Sequence, residues 1–186
     1  TIDMGVAVGG SGNDTIIGTS RYSTAAYYDS PAGIRVNLQT GKVEDGFGTT
    51  DTLINVCWIH GSGKGDFVQG GNKNDNFWSF GSNDTFDGGD GIDTLRISIS
   101  NPNINPNFTK QTNGWLINYA TQNGGFATIN TKDVELLEIY RGDIFQKWDL
   151  TSDNPHPIPD KITNPFPANL NVTDRREKSD PKAVRA

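Results

Sequence analysis

The sequence predicts an all-β fold: a parallel β-roll, or β-helix solenoid, finished by a β-rich C-terminal capping segment. Three observations carry this expectation. Residues 61–96 divide into nines, GSGKGDFVQ, GGNKNDNFW, SFGSNDTFD and GGDGIDTLR. Short alternating runs such as Ile34, Val36 and Leu38 stand between clusters of Gly, Asn, Asp and Pro, the pattern of strands joined by tight turns. Hydrophobic residues make up only 33% of the 186-residue chain. That is low for a globular core, but it suits a roll whose interior holds few side chains per coil.

In each nine an aspartate takes the sixth place (Asp66, Asp75, Asp84, Asp93) and an apolar residue the eighth (Val68, Phe77, Phe86, Leu95). An upstream unit, residues 9–17, meets every fixed position, with Asp14 sixth and Ile16 eighth. Nine residues give room for one short strand and one turn, so two units complete a coil and alternate turns lie on opposite edges. Glycine at the first, second and fourth places admits turn conformations closed to residues with a Cβ. Turn carbonyls then point at a common centre and the aspartates add carboxylates. An all-oxygen cage of this kind suits a hard cation of calcium size. The eighth-position side chains form the thin core.

Strictness varies along the run. The fourth unit is perfect, whereas Lys73 replaces the fourth glycine of the second. Ser62 and Lys64 replace glycines in the first unit, and Ser79, Phe80 and Ser82 do so in the third. Every aspartate is kept, so ligand charge is retained while turn geometry is relaxed.

The pattern G-G-x-G-x-D-x-U-x resembles the repeats-in-toxin (RTX, hemolysin-type) calcium-binding repeats of secreted bacterial β-roll proteins. The resemblance implies that each calcium ion sits between same-side neighbours, bound by both aspartates and by turn carbonyls. One implied site joins Asp66 and Asp84 with the carbonyls of Ser62, Lys64, Ser79 and Gly81. The other joins Asp75 and Asp93 with the carbonyls of Gly71, Lys73, Gly88 and Asp90. Asp14 is a candidate for a third site, shared with a loop of the longer coil and with its partner unassigned.

In chain order, residues 1–8 read as a lead-in strand and residues 9–17 as the upstream repeat. Residues 18–60 form a wider coil, with strand runs at 24–28, 34–38 and 52–59 and turns at Thr40-Gly41 and 45–50. The calcium-binding roll thus spans residues 1–100. A closing segment follows at 101–150, with strands at 115–119 and 126–129 around Asn123-Gly124-Gly125, then the run 133–140. It resembles the unit that closes many RTX rolls, where it would cover unpaired strands and apolar side chains at the open end. Residues 151–186 carry Pro155, Pro157, Pro159, Pro165, Pro167 and Pro181 and the basic run Arg175-Arg176-Glu177-Lys178. They read as a disordered tail, without the apolar terminal residues often seen in family members exported in one step. Beginning at Thr1, the chain reads as a fragment or a processed product.

Composition narrows the function. The net charge of -6 leaves no basic stripe for nucleic acid, and no stretch approaches the roughly 20 apolar residues of a membrane span. A single cysteine excludes an internal disulfide; Cys57, in the apolar run 54–59, reads as a buried small hydrophobe. His60 and His156 are the only histidines, and H-E-x-x-H and G-x-S-x-G are absent. Gly65 stands where a phosphate loop needs Ser or Thr. No enzyme is expected. Phe67 and Trp78 fall at outward places and Phe80 in a turn. The closing segment or a flanking coil is expected to cover them, the alternative being a partner- or sugar-binding patch.

The expectation is therefore a secreted, extracellular, calcium-binding module. It folds on secretion and supports or presents an attached catalytic or adhesive domain of a larger protein. The alternatives are a carbohydrate-binding or carbohydrate-active accessory module, and an adhesin or surface-layer segment.

Overall fold

A computed structural model describes residues 5–158 apart from Ser100, Pro102, Asn103, Asn123 and Asp143. The lead-in residues 1–4 and most of the expected tail, 159–186, lie outside the described residues. All the described structure is strand and turn, in two sheets. Numbering strands along the chain, sheet I runs in the spatial order β1 (Val6–Val8), β3 (Thr24–Ala26), β7 (Trp58–His60), β9 (Asn76–Trp78), β11 (Thr94–Ser98), β15 (Leu136–Arg141), β16 (Ile144–Asp149) and β17 (His156–Pro157). Sheet II runs β12 (Asn107–Gln111), β13 (Gly114–Ala120), β14 (Phe126–Lys132), β10 (Asp84–Asp87), β8 (Phe67–Gln69), β4 (Arg35–Asn37), β5 (Lys42–Glu44), β6 (Thr50–Ile54) and β2 (Thr15–Ile17).

The nine-residue period sends successive repeats to opposite sheets. Repeats one and three supply β8 and β10, paired in parallel with Phe86 opposite Val68. Repeats two and four supply β9 and β11, paired in parallel with Leu95 opposite Phe77. Each eighth-position residue of the tandem points between the sheets, and Val68, Phe77, Phe86 and Leu95 are fully buried. Phe77 of sheet I meets Phe86 of sheet II with ring centroids 5.7 Å apart. Since side chains alternate along a strand, one inward residue per three-residue strand is all such a coil can bury.

Several expectations need correcting. The sheets are mixed rather than parallel throughout. Lys42–Glu44, between the two expected turns and given no strand in the sequence reading, is a strand, β5, antiparallel to both β4 and β6. The run 52–59 is two strands, not one: Asn55 sits at φ 55 and sends β6 into sheet II and β7 into sheet I. Asparagine tolerates that left-handed conformation better than the β-branched residues around it. Cys57, just past this break, is only half-buried, with its Sγ 3.5 Å from the Arg21 carbonyl. Residues 156–157, assigned to the tail, pair with β16.

The closing segment extends both sheets. β14 pairs in parallel with β10 and carries the hairpin partner β13, while β15 pairs in parallel with β11 and is followed by antiparallel β16. Trp115, Ile117, Tyr119, Ile129, Leu137 and Ile139 continue the same core. Two of the three outward aromatics, Trp78 and Phe67, are flanked as expected. Tyr140 stacks on Trp78 at 5.2 Å, and the Arg35 guanidinium lies 4.8 Å over Phe67. Phe80 stacks on Trp78 but stays 43% exposed.

Candidate metal centre

Because strands within each sheet run parallel through the repeats, their turns stack into two ladders. Edge I holds the turns entering sheet I, with Asp75 and Asp93; edge II holds those entering sheet II, with Asp66 and Asp84. All four carboxylates are buried. On each edge the carboxylate of one coil accepts a hydrogen bond from the backbone of the coil before it. The Asp75 N–H donates to Asp93 Oδ1 at 2.7 Å, and the Asp66 N–H to Asp84 Oδ1 at 2.9 Å. The implied pairs, Asp66 with Asp84 and Asp75 with Asp93, are thus brought together.

On edge I, Asp75 Oδ2 accepts from the Gly71 N–H at 2.7 Å. Asp93 Oδ2 is buried without a hydrogen-bond partner, a costly state for a carboxylate oxygen. Burial pushes the Asp93 carboxyl up to about 7, and the charges of Asp75, Glu135 and Asp133 push the same way. Burial likewise pushes Asp75 up to about 6. The turn of repeat four packs against the carbonyls of Gly71 and Lys73. A Cβ on Gly89 would lie 2.6 Å from the Gly71 oxygen, and one on Gly91 2.5 Å from the Lys73 oxygen. These glycines, at φ +86 and +134, have the conformations that a side chain resists.

On edge II the oxygens are taken. Asp66 Oδ1 accepts from the Ile34 N–H at 3.0 Å and from Ser62 Oγ at 2.5 Å, and Oδ2 from the Ser62 N–H at 2.7 Å. Asp84 Oδ1 has Ser82 Oγ at 2.8 Å beside the Asp66 N–H, and Oδ2 accepts from Ser79 Oγ at 2.5 Å. Ser82 Oγ also contacts the Lys64 carbonyl. Burial pushes Asp66 up to about 6 and raises Asp84.

Asp14 finds its partner in the longer coil, where its N–H donates to Asp51 Oδ1 at 2.8 Å. Two residues of the ladders escaped the sequence reading. Asp51 stacks on Asp14, with Leu53 opposite Ile16; Glu135 Oε2 accepts the Asp93 N–H at 2.7 Å, with Leu137 opposite Leu95. The surviving signal was an acid two places before a buried leucine, without the glycines. Among the described residues no three His, Cys, Asp or Glu side chains form a metal-binding group. A cation here must therefore take much of its shell from backbone carbonyls, as calcium readily does.

Residues 6–20 and 60–95 match the RTX calcium-binding nonapeptide repeat family, in four copies. These segments are RTX repeats, and repeats of this class bind calcium. No curated protein matches the chain. No helix among the described residues is long and apolar enough to cross a membrane.

Proposed function

We propose that the chain is a calcium-stabilised parallel β-roll, closed by antiparallel strands, that works outside the cell as a folding and presentation module for a larger protein. The observation that carries this is the buried, unpartnered Asp93 Oδ2 on edge I. Asp75 and Asp93 supply the carboxylates, and Gly71, Lys73, Gly88 and Asp90 the carbonyls. A divalent cation between them reverses the electrostatic penalty that burial places on these acids. Millimolar free calcium is an extracellular condition, and members of this repeat class are typically secreted. The 1–100 roll and the closing unit from 101 remain the proposed organisation, with the closing unit carried on to the β17 pairing at 156–157 and the tail after it.

A catalytic or sugar-binding role has less support. A groove of about 630 Å³ beside Tyr22 and Trp58 is lined by Arg21, Lys73, Asn74 and Asn76, with no carboxylate in its lining. Ion binding only to the folded form raises stability by mass action. Circular dichroism melts in chelator and in millimolar calcium test the reading, and a clear rise in melting temperature with calcium is expected. Identical melts would overturn it.

A further inference from the structure

Edge II differs from edge I along its whole length in one respect: its buried carboxylates each meet a side-chain hydroxyl. Ser62 serves Asp66, and Ser79 and Ser82 serve Asp84. Upstream on the same edge the Tyr27 hydroxyl donates to Asp51 Oδ2 at 3.0 Å, and Thr49 Oγ1 contacts Asp45 Oδ2. Among the described residues no hydroxyl reaches Asp75 or Asp93.

We infer that calcium is confined to edge I, and that edge II is held without an ion by hydroxyl donors. The inference rests on the calcium reading above and narrows it. Both oxygens of Asp66 and of Asp84 already accept hydrogen bonds. Hydroxyl-to-carboxylate bonds of this kind are short and charge-assisted. Ser82 Oγ lies between Asp84 Oδ1 and the Lys64 carbonyl, an implied ligand of the Asp66–Asp84 site, and its single proton serves one of them at a time. Ser79 Oγ is fixed from its other side by the Tyr119 hydroxyl at 3.0 Å, a residue of the closing segment. An ion on this edge would have to break that set, whereas on edge I it meets an oxygen that has no partner.

The substitutions explain the pattern. Ser62, Ser79 and Ser82 stand at places where the repeat otherwise has glycine, and all three lie on edge II. Edge I keeps Gly70, Gly71, Gly88, Gly89 and Gly91. The relaxed repeats are therefore not weakened calcium sites. They are turns in which a hydroxyl supplies the buried carboxylate with a hydrogen bond, where an ion is proposed to satisfy the carboxylates opposite.

Isothermal titration of the intact chain with calcium, alongside melts in chelator, tests this. Asp93→Asn should lose calcium uptake on the repeats. Asp84→Asn should bind the same number of equivalents as the unaltered chain, while its melting temperature in chelator falls by several degrees. Loss of an equivalent in Asp84→Asn would overturn the inference and leave the calcium reading standing. Should Asp84→Asn fail to fold, Ser79→Ala keeps the carboxylate and carries the same test. Unchanged equivalents with a lowered chelator melt support the inference; a lost equivalent or an unmoved melt overturns it. No uptake by the unaltered chain would sink the calcium reading itself.

Discussion

The tandem repeats and the closing segment build the same two sheets by different means. Strands β8 and β9 are three residues long and bury one side chain each. Strands β13 and β14 are seven residues long and alternate fully, so that β13 alone buries Trp115, Ile117 and Tyr119. The closing segment therefore stands on apolar burial, at roughly 25 cal/mol for each Å² removed from water. The repeats bury too little for that and depend on what their turns do with buried carboxylates. The comparison teaches that, on the proposed calcium reading, an ion requirement falls on the thin part of the molecule, while the thick part extends the same core.

The largest expected effect comes from emptying the thin core. Phe77→Ala removes a fully buried ring that meets Phe86, and a loss of about 3–5 kcal/mol is expected in denaturant melts. With one inward residue per strand there is little around it to collapse into the space. A loss no larger than that from an exposed residue would show that the repeats do not depend on their core.

Next comes the tie between the two regions. Arg96 of β11 meets Glu138 of β15 at 2.5 Å, with side chains 11% and 10% exposed, and its guanidinium lies 3.9 Å over Trp58. Glu138→Ala leaves that cation poorly compensated and should cost about 3 kcal/mol. If the regions were independent, amide exchange in β9 and β11 would not change; faster exchange there is expected.

Gly91→Ala sharpens the contrast within the repeats. It forces a Cβ into a backbone at φ +134 and against the Lys73 carbonyl, at a strain of about 1–3 kcal/mol. Calcium affinity, read by titration, should fall with stability, because the displaced carbonyl is a proposed ligand. The smallest effect is expected at the outer surface. Lys132 reaches Asp87 at 2.8 Å with its side chain 50% exposed. Lys132→Ala should cost less than about 1 kcal/mol in denaturant melts, and it should leave calcium uptake unchanged because Asp87, at a ninth position, is not among the proposed ligands.

Much of the candidate site was legible because it is local. An aspartate two places before an apolar residue, repeated every nine, is enough to put alternate repeats on opposite sheets and their acids on opposite edges. Asp66 with Asp84 and Asp75 with Asp93 follow from the period alone. Where the glycines were missing the reading faltered. Asp51 and Glu135 occupy the same ladder positions, but their turns carry few of the marks that made the other repeats visible.

The sequence by itself determined the period, the inward residues and the all-β character, because these depend on residues within one or two turns of each other. Only the tertiary structure decided the rest. The β4–β5–β6 hairpins, the turn at Asn55 and the closing of both sheets by β14 and β15 depend on partners far along the chain. So does the difference between the edges. Serine in a turn is chemically neutral until a carboxylate is brought against it. That carboxylate comes from the same repeat for Ser62 and Ser79, but Asp84 takes its remaining backbone donor from a coil 18 residues earlier. Ser79 takes its second hydroxyl from a strand 40 residues later. Those distances are set by stacking, and no nine-residue window contains them.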